Sequence, residues 1–332
     1  MNEPSDRILR EGLRTNPLSP EALARIRAAT EAEWRATVSA APAVKPRRWL
    51  PWALAASVFG AAVIAGLTML GSLQGGADGE RFASVLRTEA PGLSELRGLR
   101  SNLKVNTGGA LLSGHSYQSE GQALLVMEGG GNLRLAPGAR IEVLGKDVIR
   151  LDSGELYVDI PPGTHAASSF VARTPAGDFR HVGTQFALAI TGDGTRLRVR
   201  EGVVHWVAAD GQSAVKAGSE VQIARDGKAT HRAIEPSHAA WNWTSAITPD
   251  FDVDDRPLQE FLAWVARESG RELVLADDVT RKQVATIKMH GSVNGLTPMQ
   301  ALSAVMAATP LRFDLPEGKI RVSFAGDSPT RQ

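Results

Sequence analysis

Three aspartates at alternate positions have the spacing of a calcium-binding loop. Asp250, Asp252 and Asp254 match the first three ligand positions of an EF-hand. That loop also needs glycine at its sixth position and a bidentate glutamate at its twelfth. Here those positions hold Asp255 and Phe261. We therefore reject the calcium loop, and the sequence predicts no metal site.

Other catalytic patterns are also missing from the sequence. The 332-residue chain has no cysteine, and its seven histidines form no HExxH pair. It contains no GxSxG elbow, P-loop or GxGxxG run. Its formal net charge of +1 gives no overall field that would attract nucleic acid. We predict a protein that is not an enzyme, holds no cofactor and makes no direct contact with nucleic acid.

One long segment of the chain carries no charge. Residues 49–74 exceed the about 20 apolar residues that cross a bilayer. Arg47 and Arg48 stand directly before this segment, whereas Asp78 and Glu80 follow it. Basic residues favour the cytoplasmic side. The pattern therefore predicts a single-pass protein of a bacterial inner membrane, with its N-terminus in the cytoplasm and its C-terminus in the periplasm.

Two other interpretations of this segment remain open. It could be a buried core helix, although its length and lack of a polar face argue against that. It could also be a cleaved signal peptide, with Arg47 and Arg48 as a twin-arginine signal. An apolar signal core is shorter than this run and begins nearer the N-terminus, so a transmembrane helix is favoured.

The tail at residues 1–48 is too short for a sizeable core. An amphipathic helix is predicted over about residues 20–38, followed by a linker rich in alanine and proline. Such a helix needs a partner or stays marginal. Leu23, Ile26 and Trp34 are the candidate partner-binding residues, with Trp34 as the aromatic anchor. The alternative is a partly ordered helix near the membrane without a partner.

Short alternating runs separated by glycine fill residues 81–240. Leu156, Val158 and Ile160, for example, alternate with polar residues. This period of two is typical of half-buried strands. Paired strands around recurring glycines predict an all-β domain, solenoid-like or sandwich-like. Trp241 and Trp243 mark its boundary with the region that follows.

The β region resembles the periplasmic domain of the FecR family over roughly residues 100–225. The runs that carry the resemblance are GNLRLAPGARIEVLGKDVIRLDSGELYVDI, FVARTPAGDFRHVGTQFALAI and TRLRVREGVVHWVA. We expect structural roles for its motif residues: a backbone conformation that needs glycine at Gly183, and core packing for Phe186. The full set of motif residues is Val182, Gly183, Thr184, Phe186, Glu201 and Gly202.

Residues 247–325 alternate between helix and strand patterns. The predicted order is βαββαβ with one further strand, including strands at 251–253 and 284–289. The runs FDVDDRPLQEFLAWVARESGRELVL and GLTPMQALSAVMAATPLRF resemble the short N-terminal (STN) module of secretins and TonB-dependent receptors. The prediction is thus a multi-domain membrane protein with one transmembrane helix, a β domain and a small α+β module.

The two resemblances imply a function in signalling. FecR-type proteins are membrane regulators of transcription, in iron-related systems among others, that pair with extracytoplasmic-function (ECF) sigma factors. Expected partners are therefore an ECF sigma factor at the tail, an outer-membrane TonB-dependent receptor or another periplasmic protein, membrane lipid, and an intramembrane protease. The alternative is an envelope assembly protein that docks a receptor or secretin and has no sigma factor.

A charge in the predicted membrane helix tests its assignment. Substitution of Val63 or Ile64 by arginine should block insertion, because a charge at the centre of the helix costs about 2.5–3.5 kcal/mol. Membrane fractionation measures this effect. Normal recovery of the variants in the membrane fraction would refute the assignment.

Overall fold

The structure is a computed structural model that describes residues 79–97, 101–161, 163–164, 169–181, 183–209 and 211–324. The predicted tail helix at about 20–38 and the predicted membrane helix at 49–74 lie outside these residues. Within the described ranges, no helix has the length and apolar character that a membrane crossing needs. The described residues belong to one compact unit, Gly76–Gln332.

Seventeen strands in the described residues form the β domain. They are β1 (Arg81–Thr88), β2 (Leu93–Arg97), β3 (Ser101–Val105), β4 (Ala110–Leu112), β5 (Ser116–Ser119), β6 (Ala123–Met127), β7 (Asn132–Leu135), β8 (Arg140–Gly145), β9 (Val148–Asp159), β10 (Val171–Thr174), β11 (Gly177–His181), β12 (Gln185–Thr191), β13 (Gly194–Glu201), β14 (Val203–Ala208), β15 (Gly211–Lys216), β16 (Ser219–Ala224) and β17 (Ala229–Ala233).

The pairings divide these strands into two sheets that share β9. The first sheet has the order β4-β1-β6-β7-β9-β12-β13-β16-β17, and the second has the order β3-β2-β5-β8-β9-β10-β11-β14-β15. All pairs are antiparallel except β9 with β10. After β9, successive hairpins alternate between the sheets. The predicted all-β domain is confirmed, and its form is a sandwich.

Strand β9 passes from one sheet to the other at Gly154. Its first half pairs with β8 as far as Ser153, and its second half pairs with β12 from Gly154 onward. Gly154 has φ of +77°, and a Cβ there would lie 2.5 Å from Cα of Ala139. Only glycine fits this crossing, because both the left-handed backbone and the close approach exclude a side chain.

One apolar core lies between the two sheets. It contains fully buried side chains from the first sheet, such as Leu125 and Phe186, and from the second, such as Ile141 and Phe179. The alternating pattern in the sequence supplies these residues, since every second side chain of a strand points to the same face. Burial of this face holds the two sheets together.

The C-terminal module, residues 251–324, has its own apolar core. A short linker precedes it, with a 3₁₀ turn at Ala239–Trp241 and helix α1 at Asn242–Ala246. The elements of the module are α2 (Leu258–Ser269), β18 (Glu272–Leu275), α3 (Asp278–Thr286), α4 (Pro298–Ala307), β19 (Leu311–Asp314) and β20 (Lys319–Phe324). The sheet order is β18-β20-β19, with β18 parallel and β19 antiparallel to β20.

The predicted βαββαβ order is wrong in two places. Residues 284–289 were expected to form a strand, but α3 continues through the first half of this stretch and ends at Thr286. The carboxylate of Asp277 caps that helix by accepting from the backbone N–H of Thr280 at 2.7 Å. Thr280 and Val284, four residues apart, are both fully buried, so the helical period decides the structure.

The second error concerns residues 251–253. Phe251 and Val253 pack in the module core as expected for apolar residues, yet no strand pairing involves them in the described residues. The stretch therefore packs on the core beside α2 without joining a strand. Phe251 contacts Phe261 and Trp264, with ring centroids 5.8 and 5.4 Å away. Aromatic packing replaces the expected backbone pairing.

Alanine substitutions at two glycines distinguish the cost of steric crowding from the cost of backbone strain. Gly154→Ala should lower the free energy of unfolding by about 3 kcal/mol, because the methyl group meets Ala139 in a left-handed backbone. Gly138→Ala is the matched control. Its φ of +80° is similar, but nothing lies within 4 Å of its added Cβ, so the cost should be about 1 kcal/mol. Urea unfolding measures both; equal losses would contradict the crossing at Gly154.

Candidate functional site

The outward face of the first sheet carries polar side chains that the C-terminal module covers. We call this contact the junction. Its residues are Arg134, Tyr157, Asp159, Arg200, Trp241, Arg267 and Glu268. The strands β7, β9 and β13 supply one side of the junction, the linker supplies Trp241, and the last turn of α2 supplies the other side.

Trp241 packs the linker against the sheet. The indole is buried, and its Nε1 donates to the carbonyl of Glu235 at 3.1 Å. Its ring meets Tyr157 edge to face, with centroids 6.0 Å apart. Ala187 and Ile234 complete this small cluster. Because the indole N–H has an acceptor, the ring can be buried here without the free-energy cost of an unpaired polar group. Trp241, which marks a boundary in the sequence pattern, is where the linker contacts the sheet.

Arg134 and Glu268 form a buried ion pair across the junction. Nη2 of Arg134 donates to Oε2 of Glu268 at 2.8 Å, and Nη1 donates to the carbonyl of Thr244 at 2.7 Å. The two side chains are 0% and 4% exposed. The guanidinium also lies 5.0 Å from the ring centre of Tyr157. The pair therefore needs residues from the sheet, the linker and α2 at once.

The pKa values at this pair follow from its burial. Burial opposes the charge of Arg134, but the carboxylate of Glu268, with smaller contributions from Tyr157 and Asp159, outweighs it. The pKa of the guanidinium is therefore held above its ordinary value. Burial raises the pKa of Tyr157, so its phenol stays neutral beside the cation.

Arg267 connects α2 to the end of the first sheet. Nη1 donates to Oε2 of Glu201 at 2.7 Å, and Nη2 donates to Oδ1 of Asp159. Asp159 is almost fully buried, whereas the side chain of Glu201 is half exposed. Glu201 belongs to the motif residues named from the sequence. It therefore contacts the C-terminal module directly, a role that its strand position alone did not indicate.

Arg200 fills the space between Glu268 and the linker. Its Nε donates to the carbonyl of Pro236 at 2.8 Å, and its Nη1 donates to the carbonyl of Glu268 at 3.1 Å. The guanidinium lies 5.1 Å from the ring centre of Trp241. Gly270, which ends α2 with φ of +65°, sits against these groups. A Cβ there would lie 2.1 Å from the carbonyl oxygen of Pro236, so the close approach requires glycine.

The other motif residues lie at the same end of the first sheet. Gly183 has φ of +55°, and Gly202 has φ of +78°. A Cβ on Gly202 would come within 2.6 Å of both the Gly183 carbonyl and the Thr184 side chain. Thr184 is buried, and its carbonyl accepts from Ile160 N at 3.0 Å. Phe186 is fully buried in the sandwich core, as its position in the pattern indicates. Val182 lies outside the described residues, as do the tail residues Leu23, Ile26 and Trp34.

Sequence reasoning missed the arginines of the junction. Arg196, Arg198 and Arg200 alternate with apolar residues, which indicates that they lie on the outward side of β13. They do point away from the sandwich core, but two of them are buried. Arg198, 9% exposed, pairs with Glu155 and Glu220 of the same sheet, whereas Arg200, 4% exposed, is covered by the linker and the end of α2. The alternating period of a strand identifies the outward face and contains no information about a second domain that covers it. Several arginines on one face were the available signal.

The alternate aspartates do not converge on a common point. Asp250 pairs with Arg87 at 2.9 Å, and Asp254 contacts Nδ1 of His290 at 3.1 Å. Asp252 accepts from the backbone N–H of Asp254 at 3.1 Å. Across the part of the chain that the structure describes, no cluster of three histidines or carboxylates could hold a metal ion.

A cavity opens at the end of the sandwich opposite the junction. Its volume is about 660 Å³. The turns of four hairpins surround it, namely β10–β11, β12–β13, β14–β15 and β16–β17. Trp206 lines the wall and donates from Nε1 to the carbonyl of Ala176 at 2.8 Å. The volume of this cavity is near that of small-molecule pockets. Its lining includes none of the junction residues, so it is separate from the candidate site.

A sequence model of the family described as FecR protein matches residues 115–205. This stretch runs from just before β5 into β14, and it includes the sheet side of the junction as far as Arg200. The resemblance to FecR is confirmed for these residues. They are well under half of the chain, and the resemblance of the C-terminal module to an STN module stays a prediction.

Two crystal structures of candidate anti-sigma factors from Parabacteroides distasonis are similar to this chain. The first is 14% identical with a TM-score of 0.34, and the match covers 70% of this chain and 100% of that chain. The second is 15% identical with a TM-score of 0.33, and the match covers 63% of this chain and 97% of that chain. These values are too low to support an inference about this chain. No curated protein matches it.

Two glutamates of α2 test the junction. Glu268→Gln should lower the free energy of unfolding by about 3–5 kcal/mol, because it leaves the buried Arg134 without its counter-charge. Glu260→Gln is the matched control on the same helix. Its partner Arg256 is half exposed, so that loss should stay below about 1 kcal/mol. Urea unfolding followed by tryptophan fluorescence gives both values, and similar losses would show that the buried pair has no special weight.

Proposed function

We propose that the chain is a transmembrane signalling protein whose periplasmic region controls an ECF sigma factor through the cytoplasmic tail. The observation that carries this proposal is the FecR match at residues 115–205, on the sandwich whose outer face holds the C-terminal module. In this proposal the sandwich and the module receive the signal, residues 49–74 cross the inner membrane, and Leu23, Ile26 and Trp34 contact the sigma factor.

A route for the signal begins at β1. This strand starts at Arg81, soon after the proposed membrane helix at 49–74, and pairs with β4 and β6 within the first sheet. The same sheet supports the junction through β7, β9 and β13. Movement of the module relative to this sheet would therefore reach the first strand that follows the proposed membrane helix in the sequence.

A direct contact joins β1 to the chain that enters the module. Nη1 of Arg87 donates to Oδ1 of Asp250 at 2.9 Å, and Nη2 donates to the carbonyl of Thr248. The side chains of this ion pair are 34% and 53% exposed, so the pair contributes little to stability. Weak, exposed contacts can break and re-form without unfolding the domain. A partner that binds one arrangement better than the other would shift their populations, as signalling requires.

The C-terminal module would provide the periplasmic docking surface. Strands β18 and β19 each pair only with β20 among the described residues, so each presents a free edge. Free edges can accept a strand from a partner. An outer-membrane TonB-dependent receptor or another periplasmic protein would bind there. Proteolytic release of the tail by an intramembrane protease would complete the pathway.

An envelope assembly protein remains the competing function. It would use the same free edges to dock a receptor or secretin and would need no sigma factor. Deletion of residues 1–40 distinguishes the two functions. Loss of transcriptional response in the deletion strain supports the sigma-factor role, whereas an unchanged response with intact envelope assembly supports the alternative.

Trp34 tests the proposed contact of the tail. The full-length chain should capture an ECF sigma factor, which mass spectrometry identifies. Trp34→Ala should weaken that binding by more than about 2 kcal/mol if the indole is the anchor. Glu33→Ala, a change of the charged neighbour, is the control and should leave the affinity within about 0.5 kcal/mol. Unchanged affinity of the Trp34 variant would rule out this role.

A further inference from the structure

A small cleft lies between the β domain, the linker and the C-terminal module. Its volume is about 240 Å³. The polar side chains that line it include Arg200, Ser237, Ser245, Ser269, Arg271 and Thr297. Arg200 and Arg271 are the charged residues of this lining, and no acidic residue belongs to it. Ser245, Ser269 and Thr297 already donate their hydroxyl hydrogens within the protein. The charge of the cleft lining is therefore positive, and the two arginines supply it.

The charge of Arg200 lacks a counter-ion within the described residues. Arg200 is 4% exposed, and its guanidinium donates to the backbone carbonyls of Pro236 and Glu268. Carbonyl oxygens and the ring of Trp241 satisfy part of the guanidinium, but none of them carries a formal negative charge. The carboxylate of Glu268 is bound to Arg134. A desolvated charge in this condition favours an added anion.

Arg271 presents a second cation from the module. It directly follows Gly270, and its backbone N–H donates to the carbonyl of Ala266 at 3.0 Å, which fixes its position at the end of α2. Its side chain is partly buried, and it makes no ion pair in the part of the chain that is described. Arg271 lines this cleft and a neighbouring cleft of about 370 Å³.

Acidic residues of the chain near the cleft are already engaged. Glu201 pairs with Arg267 at 2.7 Å, and Glu272 pairs with Lys319 at 3.1 Å. The N-terminus of α4 also lies at the cleft, but Thr297 and Gln300 form a capping box there and accept from each other's backbone N–H groups. We therefore do not assign the anion to the N-terminus of α4. The two arginines are the groups that an external anion would meet.

We propose that this cleft binds a small oxyanion, carried as a carboxylate or phosphate group, between Arg200 and Arg271. Planar guanidinium groups bind both kinds of oxyanion with paired hydrogen bonds. The volume is below that of pockets for drug-sized ligands, which limits the bound part to a small group. The anion would join Arg200 of the β domain to Arg271 of the module and so stabilise the junction.

This inference does not depend on the proposed control of a sigma factor. It needs only the assembled junction, and its test uses no transcription readout. Failure of the anion test would leave the signalling proposal standing, and absence of a sigma factor would leave the anion site standing.

Calorimetry with defined anions tests the site. The purified full-length chain is titrated with inorganic phosphate and, in a separate run, with succinate, at constant ionic strength. We expect saturable binding of one anion per chain for at least one probe. Arg271→Gln should weaken it about tenfold or more, because one charge-assisted hydrogen-bond partner is lost. Arg271→Lys, which keeps the charge, should retain part of the affinity.

Arg321→Gln is the matched control. Arg321 is exposed on β20, and it does not line the cleft. This variant should bind as the natural chain does, within about twofold. Heat that never saturates with either probe, full affinity in Arg271→Gln, or an equal loss in Arg321→Gln would overturn the proposal.

Discussion

The buried charge of Arg134 is the constraint on which the described structure depends. A guanidinium on the outward face of a sheet would normally reach water, but this one is fully buried and must find its partners within the protein. It obtains a carboxylate from Glu268 and a carbonyl from Thr244. Both partners lie more than a hundred positions further along the chain. The sheet, the linker and the end of α2 must therefore assemble together.

This arrangement makes the junction specific but costly to separate. When two apolar surfaces slide past each other, the free energy of their contact falls gradually. When one partner of a buried ion pair leaves, the other charge stays buried without compensation, which is strongly destabilising. The exposed contacts at the edge, such as Arg87 with Asp250, can open at little cost. The module is therefore held strongly at the buried ion pair and only weakly at the exposed contacts around it. In the proposed signalling role, a partner would change the exposed contacts while the buried pair keeps the module on the sheet.

Local sequence patterns predicted the parts of the fold that local physics determines. The alternation of Leu156 and Val158 in β9, continued by Ile160 directly after it, for example, follows from the period of two of a strand, and all three are buried in the sandwich core. The same reasoning failed at residues 284–289, because a short run of apolar residues fits either a strand or a helix. The N-cap at Asp277 starts a helix that continues to Thr286. The alternating pattern placed Arg200 on the outward side of β13 but did not reveal the cover over it, because strand period does not record which outward face another domain covers. Long-range contacts decide those features.

Hydrogen exchange on the full-length Arg134→Met variant tests the central claim most directly. If the buried pair holds the linker and the module on the sheet, amides of the linker residues 239–246 should lose protection by about a hundredfold or more, the equivalent of about 3 kcal/mol. Strands β5 and β8 of the second sheet should keep their protection, and Arg140→Met, at an exposed site on β8, should change neither region. Unchanged protection at residues 239–246, or an equal loss throughout the sandwich, would contradict the account.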